Sequence, residues 1–242
     1  AYPTGSKVLL EDLSLTLKAG STTALVGVNG SGESTIVKLI CGLLEPTKGS
    51  VCVKGEVTDR ERHTSAIFQE NAKFPLSVEQ TISLDETLGE SSDVFSGDDL
   101  KTISDRMLEM DVSQDARTLS GGQWQRVMLA RAMYFAQARD GILVLDEPSA
   151  ALDPVAERSL FSDVQQMAGE RTLLLVTHHL ATVKDVDRIV VVEGGRIVED
   201  GNHEELMSLR GAYWSMFETQ KAEILGLERV SNVGEALGDT HE

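Results

Sequence analysis

Leu13, Leu15 and Leu17 alternate with polar residues, and Lys18-Ala19-Gly20 then turns the chain, the pattern of a half-buried strand followed by a turn. Thr23 to Val28 is a short apolar run entering a glycine-rich stretch, which predicts a buried strand. Thr35 to Leu44 carries apolar residues at helical spacing and stops before Pro46. Ser50 to Val53 and Ser65 to Gln69 read as further strands. From about Glu70 to Asp140 the strand pattern gives way to helix-compatible stretches, Asp98 to Met110 and Gly122 to Arg139 among them. Strands return at Ile142 to Asp146, Thr172 to Thr177 and Arg188 to Glu193, with a helix predicted over Pro154 to Met167. After Asn202 the chain reads helical to about Leu227, and Val233 to Glu242 reads as a frayed tail.

Strands alternating with helices predict an α/β fold with a largely parallel sheet. The expected organisation is an α/β core from residues 1–69 and 140–203, a helical subdomain over 70–139, and a C-terminal helical segment and tail over 204–242. Composition supports a sizeable core: 41% of residues are hydrophobic and 25% charged. Charge narrows the partners. With 22 basic and 39 acidic residues the net charge is −17, so nucleic acid is not expected as a partner, because phosphate backbones require a basic face. Cys41 and Cys52 read as reduced thiols in a cytosolic setting rather than as a bridge. No apolar run approaches the ~20 residues that span a bilayer, and no signal-peptide pattern is present. The Ala1-Tyr2-Pro3 opening reads as the middle of a larger polypeptide.

Candidate chemistry begins at Gly27-Val28-Asn29-Gly30-Ser31-Gly32-Glu33-Ser34-Thr35, between a predicted strand and a predicted helix. The pattern G-x-x-x-x-G-K-S/T in that context cradles nucleotide phosphates. Glycines let backbone N–H groups turn toward an anion, and the helix N-terminus adds partial positive charge. Ser34 stands where a hydroxyl ligates Mg²⁺. The lysine position, however, holds Glu33. That exchange moves the local charge from +1 to −1, and a unit pair about 4 Å apart interacts by ~4 kcal/mol at an effective dielectric of 20. Outward rotation of the side chain and screening by Mg²⁺ would both reduce the penalty. A loss of ~3 kcal/mol would still weaken affinity by about two powers of ten.

Ile142-Leu143-Val144-Leu145-Asp146-Glu147-Pro148 is an apolar strand ending in two carboxylates, delivered to the crevice where open α/β sheets bind ligands. Asp146 suits a Mg²⁺ ligand, and Glu147 suits the group that accepts a proton from water or orients it. Leu119-Ser120-Gly121-Gly122-Gln123 precedes a predicted helix and offers a hydroxyl and N–H groups to an anion. With Arg126 and Arg131 following, this run resembles the signature sequence of ATP-binding cassette (ABC) ATPases. The resemblance extends from Tyr2 to about Gln220.

It implies a P-loop NTPase core with an inserted α-helical subdomain, ATP and Mg²⁺ as ligands, and ATP hydrolysis coupled to transport. Tyr2 resembles the aromatic that stacks on adenine. Gln69 resembles the glutamine that reaches Mg²⁺ and the water. Ser149 to Asp153 resembles the family's D-loop, which makes Asp153 a candidate nucleotide-binding residue, although Asp153 also suits the N-cap of the next helix. Thr177-His178-His179-Leu180 resembles the switch region, with His178 on the γ-phosphate and His179 where many relatives have arginine. The family closes two cassettes head to tail, so Ser120, Gly121, Gly122 and Gln123 would act on the partner's nucleotide. Gly211 to Phe217 and the Tyr2-Pro3 opening resemble exporter-type cassettes fused behind a transmembrane domain, on the cytoplasmic face of a cell membrane.

The chain departs from the family pattern at Glu33, in a short segment between Gln69 and Leu119, and in having only Ala1 ahead of Tyr2, where the family places a first strand. A naturally degenerate site in an asymmetric dimer, an engineered or erroneous codon, and a pseudo-ATPase all remain open as origins of Glu33. So do two rival functions: a non-catalytic cassette that offers its signature loop to an active partner, and a soluble ABC ATPase. Homodimer and heterodimer are equally compatible with the sequence.

Overall fold

In the strand β1 (Thr22–Gly27), Ala24 and Val26 face one apolar cluster while Leu25 faces another. This two-sided burial follows from the period of two along a strand and sets the layering of the molecule. The computed structural model describes residues 9–28, 30–53, 63–68, 72–73, 75–83, 108, 110–111, 113–138, 141–148 and 154–224. Glycine-rich backbone leads from β1 to α1 (Glu33–Ile40). Then come β2 (Thr64–Ile67), α2 (Val78–Ser83), a 3-10 turn (Ala116–Thr118), α3 (Gly121–Ala138) and β3 (Ile142–Asp146). The rest of the chain supplies α4 (Pro154–Ala168), β4 (Thr172–Val176), a second 3-10 turn (Leu180–Thr182), β5 (Arg188–Glu193), β6 (Arg196–Gly201), α5 (His203–Leu209) and α6 (Ala212–Ile224).

The six strands lie in the order β2-β3-β4-β1-β5-β6. Every neighbouring pair is parallel except β5 and β6. The mixed, largely parallel sheet expected from the strand–helix alternation is therefore present. One face packs Leu25, Val144, Leu174, Val176 and Val190 against Ile36, Val37 and Ile40 of α1. The other packs Leu143, Leu145, Leu173 and Ile189 against Val127, Met133, Phe161, Leu206 and Tyr213 of the helices. Each such side chain removed from water contributes about 1.5–3 kcal/mol.

Register determines where the strand ends fall. Leu25 pairs with Val176, and Val176 pairs with Asp146 on its other side. Strands β3 and β4 thus finish level with Leu25, β1 runs two residues further to Gly27, and the loops that leave all three emerge over the same crevice.

Several elements differ from the sequence reading. Leu13 to Leu17 alternates between half-buried and exposed as expected, yet it runs as extended chain outside the six-stranded sheet. In the Ser50 to Val53 stretch only Val53 forms a bridge. Helix α1 ends at Ile40 rather than Leu44, because Gly42 turns the chain with φ 76°. Strand β6 has no counterpart in the hydrophobic pattern: its exposed positions are Arg196, Val198 and Asp200 and its half-buried ones Ile197, Glu199 and Gly201, so charge falls on both faces of this edge strand. Most of the helix expected over 98–110 lies outside the described residues. Cys41 is buried, Cys52 exposed, and both are free thiols. Among the described residues no helix is long and apolar enough to cross a membrane.

Candidate functional site

The loop after β1 is built by conformations that only glycine adopts cheaply. Gly30 and Gly32 have φ 83° and 115°, and Gly32 stands at the N-cap of α1 without any side-chain cap. The first turn of α1 therefore presents its N–H groups and positive dipole end to the loop. Gly27 is needed for a different reason: a Cβ there would lie 2.4 Å from the Val192 carbonyl oxygen and 2.5 Å from Ser31 Oγ. The Gly194-Gly195 turn between β5 and β6 braces the loop from outside, with the Gly195 N–H donating to the Ser31 carbonyl at 2.9 Å. Its φ of 80° and the Leu9 carbonyl, 2.0 Å from where a Cβ would be, explain glycine at 195.

Glu33 does not rotate outward. Its side chain folds back over the loop, where Ser31 Oγ donates to Oε1 at 2.5 Å. The residue is 5% exposed, Oε1 would lie 2.8 Å from a Cβ on Gly27, and Oε2 is buried without a hydrogen-bond partner. Burial is the main reason its carboxyl is held above the usual range. The Ser31 hydroxyl and His178 oppose the shift, and the negative charges of Glu147 and Asp146 add to it. The positive end of α1 favours an anion at this place, which accounts for a carboxylate settling where it is poorly solvated.

Asp146, the last residue of β3, is 5% exposed. Its carboxyl is likewise raised, first by burial and then by Glu147, against the lowering influence of Lys38 and His178. Glu147 follows with φ 49°, a left-handed conformation that costs a non-glycine residue about 1–2 kcal/mol. Its N–H donates to the Val176 carbonyl at 2.9 Å. Two residues past β4, His178 brings Nε2 to 2.7 Å from Glu147 Oε1 and Nδ1 to 3.2 Å from the Gly27 carbonyl. The neighbouring His179 turns elsewhere, with Nδ1 2.7 Å from the buried Glu157 on α4.

Gly27, Ser31, Glu33, Asp146, Glu147 and His178 thus form one constellation at the level set by strand register. Ser34 and Thr35 lie in the first turn of α1. Ser120 to Gln123 form a separate element at the start of α3. There Gln123 Oε1 accepts from the Ser120 N–H at 3.0 Å, and Ser120 Oγ accepts from the Gln123 N–H at 3.3 Å, a reciprocal cap. Lys73 ties that start to the segment before α2, donating to the Leu119 carbonyl at 2.9 Å and lying 5.6 Å from the Trp124 ring centre. Tyr2, Asn29, Gln69 and Asp153 lie outside the described residues. Lys38, one turn beyond Ser34 on α1, and the Gly194-Gly195 brace were not singled out by motif. An (i, i+4) spacing from Ser34 was the available signal for Lys38.

The donor set suits a hard cation: the Ser34 hydroxyl and the Asp146 carboxylate offer oxygen, and Mg²⁺ takes few protein ligands beside phosphate and water. The backbone cradle suits a polyphosphate, whereas the charge of Glu33 inside it does not.

A family model described as ABC transporter matches residues 10–150. The chain is 32% identical over 236 residues to the subtilin transport ATP-binding protein of Bacillus subtilis, covering 90% of this chain and 38% of that protein. It is 32% identical over 233 residues to the ATP-dependent lipid A-core flippase of Bordetella avium, covering 90% and 39%. The chain thus spans about two-fifths of the length of these curated relatives. Among solved structures, a bacterial Atm1-family ABC exporter with ATP bound superposes with a TM-score of 0.79 at 26% identity, over 91% of this chain and 40% of that one. An ATP-binding subunit of an ABC transporter superposes with a TM-score of 0.74 at 26% identity, over 91% and 94%. With its loop, carboxylates and histidine gathered on one sheet edge and these relatives beside it, the chain belongs to the ABC transporter family as a nucleotide-binding domain of the exporter type.

Proposed function

We propose that this chain is the ATP-driven motor of an exporter, and that its own nucleotide site is held weak by Glu33. The single observation behind the second clause is the Ser31–Glu33 contact of 2.5 Å, which keeps a buried carboxylate in the phosphate cradle. A triphosphate entering the loop meets that negative charge and must expel it or share the space. Repulsion of a few kcal/mol at this range is enough to lower affinity by about two powers of ten.

In this reading the N–H groups of residues 30–35 bind the phosphates, and Gly27, Asn29, Gly30, Ser31 and Gly32 shape the loop. Ser34, Asp146 and Gln69 hold Mg²⁺, which when bound neutralises phosphate charge. Glu147 accepts the proton of the attacking water. His178, braced between the Gly27 carbonyl and Glu147, and Gln69 position the reacting groups. Tyr2 stacks on adenine. A second cassette, identical or different, closes on the site, with Ser120 to Gln123 acting on the partner's nucleotide. A transmembrane domain takes up the closing motion at the cytoplasmic face of the membrane.

The test is an ATP titration with Mg²⁺ on this chain and its Glu33→Lys variant. The variant is expected to bind about a hundredfold more tightly and to hydrolyse faster. Equal affinity, or brisk turnover already present with Glu33, refutes the weak-site reading.

A further inference from the structure

Helix α6 buries a stripe in which Tyr213 is fully enclosed and Met216 and Phe217 pack against the main core. Seven residues after Tyr213, two turns along the same stripe, stands Gln220. An apolar residue is expected on such a face, so an amide there calls for a polar partner. It has two. Gln220 Oε1 accepts from the Leu180 N–H at 3.0 Å, and Nε2 donates to the His178 carbonyl. A carbonyl on one side and an N–H on the other determine which end of the amide is which.

The amide therefore grips residues 178 and 180 as a neighbouring strand would, just where β4 has ended and no strand pairing is left to hold the chain. His178 has its ring committed to Gly27 and Glu147, and the following peptide N–H, of His179, donates to Thr177 Oγ1 at 3.0 Å, while the His178 carbonyl is taken by Gln220. The helix carrying the grip is itself anchored. The Glu199 carboxylate accepts from the Ala212 and Tyr213 N–H groups at 2.5 and 2.9 Å, and the Tyr213 hydroxyl lies 2.8 Å from His203 Nδ1.

We infer that Gln220 is a positioning residue: it clamps the backbone of the switch segment so that the His178 ring meets Glu147, and thereby links helix α6 to the catalytic edge of the sheet. The role rests on the motor reading above. It adds a residue remote in sequence that acts through the backbone of residues 178 and 180.

Gln220→Met keeps the length and packing of the side chain and removes both hydrogen bonds. Gln220→Glu keeps an acceptor for Leu180 and sets an oxygen against the His178 carbonyl. Both are made in the 242-residue chain and in its Glu33→Lys form. The expected result is an unchanged melting temperature for Gln220→Met and about tenfold faster exchange of the Leu180 amide. The hydrogen-bonded His178 ring proton is expected to broaden or vanish in the NMR spectrum. In the Glu33→Lys form kcat is expected to fall about tenfold with KM for ATP unchanged, the signature of lost positioning; Gln220→Glu should fall at least as far. Unchanged exchange, an unchanged kcat, or a loss of kcat that merely follows a loss of stability overturns the proposal. If the Glu33→Lys parent hydrolyses no ATP, the motor reading fails on its own, and the clamp stands only if the Leu180 amide and the His178 ring proton both respond.

Discussion

His178 Nε2 lies 2.7 Å from Oε1 of Glu147, and the two residues, 31 positions apart in the chain, follow the ends of strands that are neighbours in the sheet. The contact exists because β3 and β4 end in register, Asp146 opposite Val176. It gives Glu147, held at φ 49°, a defined side-chain direction at the edge where the loop after β1 emerges.

If Glu147 is the base, removing its negative charge should abolish turnover and spare binding. Glu147→Gln in the Glu33→Lys background is expected to lower kcat by about 10²–10⁴-fold, with ATP affinity kept or improved. Steady-state hydrolysis alongside equilibrium ATP binding checks this. A variant that still turns over at the parental rate assigns the base elsewhere.

The buried carboxyl of Glu33 predicts a pH-dependent stability. Its folded pKa is raised above the unfolded one, chiefly by burial. The stability contributed by its protonated form is therefore full below the unfolded value of about 4.3 and is lost as pH rises through the folded value. Glu33→Gln removes that loss. The variant should be more stable than the parent at pH 7, with the difference closing as pH falls toward about 4. Urea unfolding at stepped pH measures it, and a constant difference across the range contradicts the assignment.

Gly27→Ala should cost stability as well as nucleotide binding. Its methyl would meet the Val192 carbonyl at 2.4 Å and Ser31 Oγ at 2.5 Å; the carbonyl cannot retreat without moving β5, and the hydroxyl can do so only by leaving Glu33. Overpacking of this kind costs about 1–3 kcal/mol. A drop in the chemical-denaturation midpoint at constant slope is the expected result.

Ser120 separates the two sides of the proposed dimer. Ser120→Ala removes a helix cap, which costs about 1 kcal/mol, so the chain stays folded. Mixed with a competent cassette, it should depress the partner's hydrolysis and leave ATP affinity at this chain's own loop unchanged. Equal loss at both sites, or no loss at either, rules out action in trans.

Much of the fold was legible because its signals are local. Runs such as Leu143 to Leu145 and Leu173 to Val176 are apolar on every position, since strands covered on both faces need apolar side chains in both directions. Glycines at 30 and 32 and the two acids ending β3 stood out for the same reason: a positive φ and a strand terminus are local requirements. Strand β6 was not legible, because its two apolar residues, Ile197 and Val198, sit among charged ones and on opposite faces of an edge strand, which leaves no hydrophobic period. The extended Leu13 to Leu17 segment was over-read, because period two reports a half-buried surface whether or not a strand pairs with it.

By itself the sequence determined the family, the identity of each candidate group and the glutamate at position 33, all of which are written in residue type and short spacing. The tertiary structure decided where that anomaly goes. Glu33 turns into the cradle because the α1 dipole and the Ser31 hydroxyl attract it there. It also joined His178 to Glu147 and Gln220 to the switch segment. These are distances between residues far apart in the chain, and only strand register and helix packing set them.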